Sequence, residues 1–186
     1  MIKELLESTR SYRRFDENRE VSAEDMKTIA GAVRLCPSAA NLQRVRVVNV
    51  TDKSEKERVF DCLGFAAYLK DWAGPSVGER PTAYAILVTT QNLDVNLAID
   101  VGIAAEAMLL TAREMGIGGC IFRSFKPDVI SSVVNKEGYI PAMVIAFGYP
   151  SETVVIEDVK DGDIKYYRDA NGVHHVPKLS CEDIIL

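Results

Sequence analysis

The 186 residues fit one domain with room for a sizeable core, since 47% of them are apolar and a chain of this length buries most of its unfolded surface. A formal charge of −5 argues against a sequence-independent nucleic-acid binder or an anionic-membrane binder, because both need a basic face that outweighs the acidic background. Met1 to Glu7 is amphipathic and charged, without the apolar run of a signal peptide, and no stretch of membrane-spanning length is free of charge, so the expectation is a cytosolic protein.

Between Thr9 and Phe15 the chain reads Thr-Arg-Ser-Tyr-Arg-Arg-Phe, which suggests a short helix end with Arg10, Arg13 and Arg14 crowded around Ser11. Guanidiniums this close repel one another unless an anion sits between them, and their planar N–H forks match phosphate oxygens. The alternative for such a cluster is a solvated or acid-paired patch. Ser22-Ala-Glu-Asp then caps a helix in which Met26, Ile29, Ala30 and Val33 recur at helical spacing until Pro37. Val45 to Val50 reads as a strand, Ser54 opens a helix carrying Val59, Phe60 and Leu63, and Ala83 to Thr90 reads as a more apolar strand after a Gly/Pro-rich connection.

Leu93 to Met115 gives the longest helix, and its small and apolar residues predict burial on most sides, with a second copy of the chain as the natural remaining cover. Gly116 ends it, Gly119 to Phe122 begins a strand, Pro127 starts a helix through Val134, and Pro141 to Phe147 gives a further buried strand. Ile164 to Arg168 and Val173 to Val176 flank Asp-Ala-Asn-Gly, a hairpin signal. Ser180 caps a short final helix, and the apolar end Ile184-Ile185-Leu186 needs a surface to lie on. Strands between helices without regular βαβ alternation predict an α+β sandwich with a central mixed sheet.

Gly116-Ile-Gly-Gly follows a helix and precedes a strand, the reverse of a dinucleotide fingerprint, so a helix C-cap with close backbone approach is its ordinary role. No phosphate loop of the Gly-x-x-x-x-Gly-Lys type occurs, and no nucleophile elbow. His174 and His175 are adjacent on a strand and face opposite sides, so they cannot readily share a metal, and no metal site is expected. Cys36, Cys62, Cys120 and Cys181 lie far apart and read as free or buried thiols.

Six segments carry a further signal. They are Arg-Ser-x-Arg-x-Phe from Arg10, Pro-Ser-Ala-Ala-Asn-Leu-Gln from Pro37, Glu-Arg-Pro-Thr-Ala-Tyr from Glu79, Asp-Val-Gly-Ile-Ala-Ala-Glu from Asp100, Gly-Ile-Gly-Gly-Cys from Gly116 and Ala-Phe-Gly-Tyr-Pro from Ala146. In that order and at those spacings the series resembles the flavin mononucleotide (FMN)-dependent nitroreductase family over nearly the whole chain. The resemblance implies a single FMN-binding domain over 1–186, built as a three-layer sandwich with the long helix at a homodimer interface, and with 150–186 as an extension packing on the partner subunit.

Carried over position by position, Arg10 and Ser11 match the family's phosphate or ribityl contacts, and Arg13 matches the basic residue at the pyrimidine edge of the flavin. Pro37 and Ser38 match residues that reach the pyrimidine from the opposite subunit, with Asn41 and Gln43 as the polar groups of the same segment. Gly118 and Gly119 match backbone that lies along the ring. Lys178 is the candidate for a basic residue that closes the phosphate site, with Arg168 in reserve. Arg44-Val45 replaces the family's usual Pro-Trp, and Glu106 stands where Gln or Asn is common. No side chain is expected to act as a catalytic nucleophile, because the flavin carries the chemistry. The implied activity is NADH- or NADPH-driven reduction of a nitroaromatic, quinone or similar small-molecule acceptor by a ping-pong cycle. A non-catalytic flavin- or nucleotide-binding regulator, another flavin reaction on the same scaffold such as dehalogenation or flavin breakdown, and a purely structural module are the rival readings.

Overall fold

A computed structural model describes all of residues 1–186. Its centre is a four-stranded sheet in the order β1-β2-β4-β3, formed by β1 (Arg46–Val50), β2 (Ala83–Thr89), β3 (Gly118–Phe122) and β4 (Ile140–Gly148). Every pairing in it is antiparallel. Side chains alternate across the pleat, so β2 sends Ala83, Ala85 and Leu87 to one core and Tyr84, Ile86 and Val88 to the other. The first core lies under α2 (Ala23–Gly31) and α4 (Val95–Glu114), and the second under α3 (Lys53–Phe60) and α5 (Pro127–Val134). A sheet covered by helices on both faces is the three-layer α+β sandwich that the sequence and its family resemblance predict, and its only parallel element is the Ser11–Gly119 bridge at the β3 edge.

Local chemistry sets the helix bounds. Ser22 caps α2 in a capping box with Asp25, and α2 tightens into a 3-10 turn over Ala32–Leu35 before Pro37. The third helix begins earlier than Ser54 suggests: the Asp52 carboxylate accepts the N–H groups of Ser54 and Glu55, which places Ser54 inside the helix. Asp94 does the same for α4 by accepting from Leu97 N–H, and that bond holds its carboxyl below the usual range.

One expectation is corrected. Thr9 to Phe15 is not a helix end, because α1 stops at Ser8 and no residue of the segment is helical. The open edge of β3 takes the segment instead: Ser11 bridges Gly119 in parallel, and Tyr12 N–H donates to Gly119 C=O at 3.0 Å. An unpaired sheet edge offers obligatory backbone partners that a short helix end cannot match. The long helix α4 is buried on one side only. Leu97, Val101, Ala104, Ala105, Met108, Leu109 and Ala112 enter the core, whereas Val95, Ala98, Ile99, Gly102 and Glu106 are exposed. Length and hydropathy alone would let α4 span a membrane, yet it is the core helix of this domain and carries the buried Asp100.

Beyond Gly148 a second, three-stranded sheet forms in the order β5-β7-β6, from β5 (Val154–Asp158), β6 (Tyr167–Arg168) and β7 (His174–Lys178). The expected hairpin is the antiparallel β6–β7 pair, and β5, which the sequence reading missed, adds in parallel. This sheet lies against its own chain. Tyr166 packs on Tyr68 with ring centroids 4.9 Å apart, and the Arg168 guanidinium lies 4.7 Å from the Trp72 ring. The last helix, α6 (Cys181–Ile184), is capped by Ser180, and Ile184, Ile185 and Leu186 are exposed.

Ile145 is fully buried at the centre of β4 between β2 and β3. Ile145→Ala is expected to cost about 2 to 5 kcal/mol and to lower the thermal midpoint by roughly 4 to 20 °C. A calorimetric scan checks this, and an unchanged midpoint would contradict the assigned core.

Candidate functional site

The edge contact of Thr9–Phe15 with β3 brings Arg10, Ser11 and Arg13 beside Gly118 and Gly119. A Cβ on Gly118 would lie 2.6 Å from Tyr12 and Pro150 side-chain atoms, and one on Gly119 would lie 2.6 Å from Leu109 Cδ2. Both glycines are therefore required by close packing of the segment and α4 onto β3. Cys120, next on the strand, is fully buried, and burial pushes its thiol up to about 11, so it is an inert core thiol.

Four guanidiniums and one buried imidazole gather here, and carboxylates reach only some of them. Arg14 pairs with Glu79 at 3.5 Å, and Arg168 pairs with the almost fully buried Glu152 at 2.7 Å. Arg10 donates to Leu6 C=O at 2.6 Å, and its buried Nε has no partner. The Arg13 guanidinium has only neutral partners: Ser11 C=O at 3.2 Å, His174 Nε2 at 3.4 Å and the Tyr166 ring at 5.1 Å. The guanidiniums of Arg10 and Arg13 thus form no ion pair with an acid, the state an anionic ligand requires.

His174 is 1% exposed, and burial, aided by the Arg13 charge, lowers its pKa to about 4. It is neutral at pH 7, and because Arg13 can only donate, Nε2 accepts and the ring proton sits on Nδ1. His175 faces the other way, between Glu157 at 3.0 Å and Asp169 at 3.6 Å, stacked on Tyr167.

Pro37, Ser38, Asn41 and Gln43 lie elsewhere. Pro37, Ser38 and Gln43 line a cavity of about 460 Å³ with Arg34, Arg44 and Asp100. Their loop is strained: Ala40, Asn41 and Gln43 have φ of 49°, 54° and 48°, left-handed values that cost non-glycine residues energy. It is held by Asp100 Oδ1, which accepts Ala39 N–H at 2.9 Å, and by Ser38 Oγ, which accepts Gln43 N–H at 3.1 Å. Arg44, at the position of the family's proline, bridges to Asp94 at 3.2 Å and Asp100 at 3.9 Å, which ties the loop to α4.

The sheet separates these two groups. The loop runs into Arg46, which pairs with Val88, itself opposite Pro141, whereas Gly118 pairs with Gly148. They stand at opposite edges, about 14 Å apart across three strand spacings, and at opposite ends, about 23 Å apart along β4. One copy of the chain does not bring both groups to one small ligand. Lys178 lies exposed at the far end of β7 from His174, with no bond to the arginine segment, while Arg168 reaches Glu152 beside it. Arg10, Ser11, Arg13, Gly118 and Gly119 form one cluster, with Arg168 as its nearby reserve. Glu152, Tyr166 and His174 enter the site without a motif to announce them, and only the fold sets them there.

The Nitroreductase family model matches residues 6–149, and the chain belongs to that family. Among curated relatives it is 26% identical over 165 residues to a Cr(VI) reductase of Pseudomonas sp. strain G-1, covering 81% of this chain and 67% of that protein. It is 24% identical over 169 residues to an FMN reductase using NAD(P)H from Bacillus subtilis, covering 82% and 66%. The matches thus span about two thirds of those two relatives. Two solved structures share the fold. A nitroreductase family protein from Streptococcus pneumoniae aligns over 100% of this chain and 99% of its own, with a TM-score of 0.70 at 17% identity. An FMN-dependent nitroreductase from Clostridium difficile aligns over 92% and 99%, with a TM-score of 0.65 at 23% identity.

Between pH 6.5 and 4 an unfolded His174 takes up a proton that the folded one refuses, so stability falls as pH drops through that window. The contribution is roughly 2 to 3 kcal/mol. Urea titrations of wild type and His174→Gln at pH 7 and pH 4.5 are expected to show a smaller acid loss in the variant; equal losses would contradict a buried neutral His174.

Proposed function

We propose that the protein is an FMN-dependent oxidoreductase that uses NADH or NADPH to reduce electron-poor small molecules such as nitroaromatics or quinones. One observation carries the reading: Arg10 and Arg13 stand in the segment that matches the family's phosphate and pyrimidine contacts, and neither guanidinium has a carboxylate partner, although Glu79 and Glu152 are close enough to pair with their neighbours Arg14 and Arg168.

Arg10 and Ser11 hold the phosphate or ribityl chain, and Arg13 faces the pyrimidine edge. Positive charge there favours the anionic reduced ring and raises its reduction potential. Pro37, Ser38, Asn41 and Gln43 contribute from the other copy of a homodimer, which fits the separation of the two groups across the sheet and the exposed apolar side of α4. The same second copy covers Ile184-Ile185-Leu186. Arg168 is better placed than Lys178 to add positive charge near the phosphate. Bound FMN supplies hydride chemistry between nicotinamide and acceptor in one shared pocket, so a ping-pong order follows. The chain's own residues bind, orient and set charge.

The purified protein is expected to be yellow, to bleach with NADH or NADPH under anaerobic conditions and to regain colour with a quinone. Retained colour would favour a non-catalytic flavin regulator. A colourless protein that gains no thermal stability from added FMN would overturn the reading. Arg10→Ala and Arg13→Ala are each expected to weaken FMN binding by roughly 1 to 3 kcal/mol in fluorescence titrations, as for loss of a charge-assisted hydrogen bond. Unchanged titrations for both would remove these residues from the site.

A further inference from the structure

Residues 150–186 lie beyond the part of the chain that the family model matches, yet they supply most of what surrounds Arg13. We propose that Glu152 is a positioning residue for Arg13, and that this chain's own extension, folded back in cis, sets the geometry of the anion seat. The proposal rests on the flavin reading given above.

Glu152 has a side chain only 2% exposed and three donors aimed at it. Its Oε1 accepts the backbone N–H of Arg13 at 2.5 Å and of Arg14 at 3.1 Å, and its Oε2 accepts Arg168 Nη2 at 2.7 Å. The repulsion expected among the arginines is relieved by an internal carboxylate, which touches the backbone of Arg13 and leaves its guanidinium free. Adjacent bonds fix the carboxylate. Ser151 N–H donates to Arg14 C=O at 3.1 Å, Phe15 bridges Pro150, and Asp16 N–H donates to Tyr149 C=O at 2.8 Å.

From the other side, His174 N–H donates to Thr153 C=O at 2.9 Å, which seats the imidazole that receives Arg13. Tyr166, 5.2 Å from the His174 ring and 5.1 Å from the Arg13 guanidinium carbon, covers the remaining flank. Backbone and guanidinium of Arg13 are therefore held by different parts of one extension. A side chain pre-set in this way loses less freedom when an anion arrives.

The test compares FMN titrations and thermal midpoints of the full-length wild type, Glu152→Ala, Glu152→Gln and Glu157→Ala. Glu152→Ala leaves two buried N–H groups without an acceptor and is expected to weaken FMN binding about ten-fold or more. Glu152→Gln keeps an oxygen for both N–H groups and is expected to restore affinity to within about three-fold of wild type, since an amide carbonyl accepts as a carboxylate does. Glu157 bonds Tyr167 and His175 on the far side of the small sheet, so Glu157→Ala loosens the extension without touching Arg13 and is expected to leave FMN affinity unchanged. Should Glu152→Ala not fold, Glu152→Asp, whose shorter side chain draws the carboxylate away from the two N–H groups, serves in its place with an expected loss of about three-fold or more.

Wild type that binds FMN while Glu152→Ala, or Glu152→Asp in its place, binds equally well would overturn the positioning role alone. Tighter binding by Glu152→Gln would overturn it too, by showing that the carboxylate competes with the ligand's charge. An equal loss in Glu157→Ala would reduce Glu152 to general support of the fold. Wild type that does not bind FMN overturns the flavin reading and this proposal with it.

Discussion

The site depends on how the backbone of a short basic segment is pinned between a strand edge and a buried carboxylate. On one side Ser11 and Tyr12 close the open edge of β3 at Gly119; on the other, Glu152 accepts the N–H groups of Arg13 and Arg14. Without the first contact the segment would have no register on the sheet. Without the second, the arginines would lack a fixed direction. The absence of side chains at Gly118 and Gly119 makes the approach close enough for both, since a methyl group at either position would collide with Tyr12, Pro150 or Leu109.

Charge is sorted within a few ångströms by this arrangement. The two nearby carboxylates go to Arg14 and Arg168, while Arg13 is met by a carbonyl, a neutral imidazole and an aromatic face. Burial of His174 is what keeps that imidazole neutral. A protonated ring at the same place would repel the guanidinium it now orients. The second group of candidate residues is pre-set by other means, a strained loop locked to α4 by Asp100 and Arg44. In the proposed homodimer the two groups, which one copy holds at opposite ends of its sheet, come from different copies.

Much of the fold is legible in the sequence because its signals are local. Pro127 at the first turn of α5, the Ser22 capping box and the apolar run of β2 each act within a few residues of themselves, and each lies where periodicity places it. The arginine segment shows the limit. Its composition points to an anion, but its conformation follows from a sheet edge more than one hundred positions along the chain, which no local pattern records. Glu152 is less legible still, as a single acid in a loop whose meaning comes from donors contributed by Arg13, Arg14 and Arg168.

The central claim is that FMN occupies a site assembled from two copies of this chain. Sedimentation of the purified protein with saturating FMN, followed at protein and flavin absorbance, tests it most directly. The account predicts flavin absorbance moving with a dimer at one FMN per chain. Flavin that travels with a monomer, or that stays unbound in the supernatant, would contradict it.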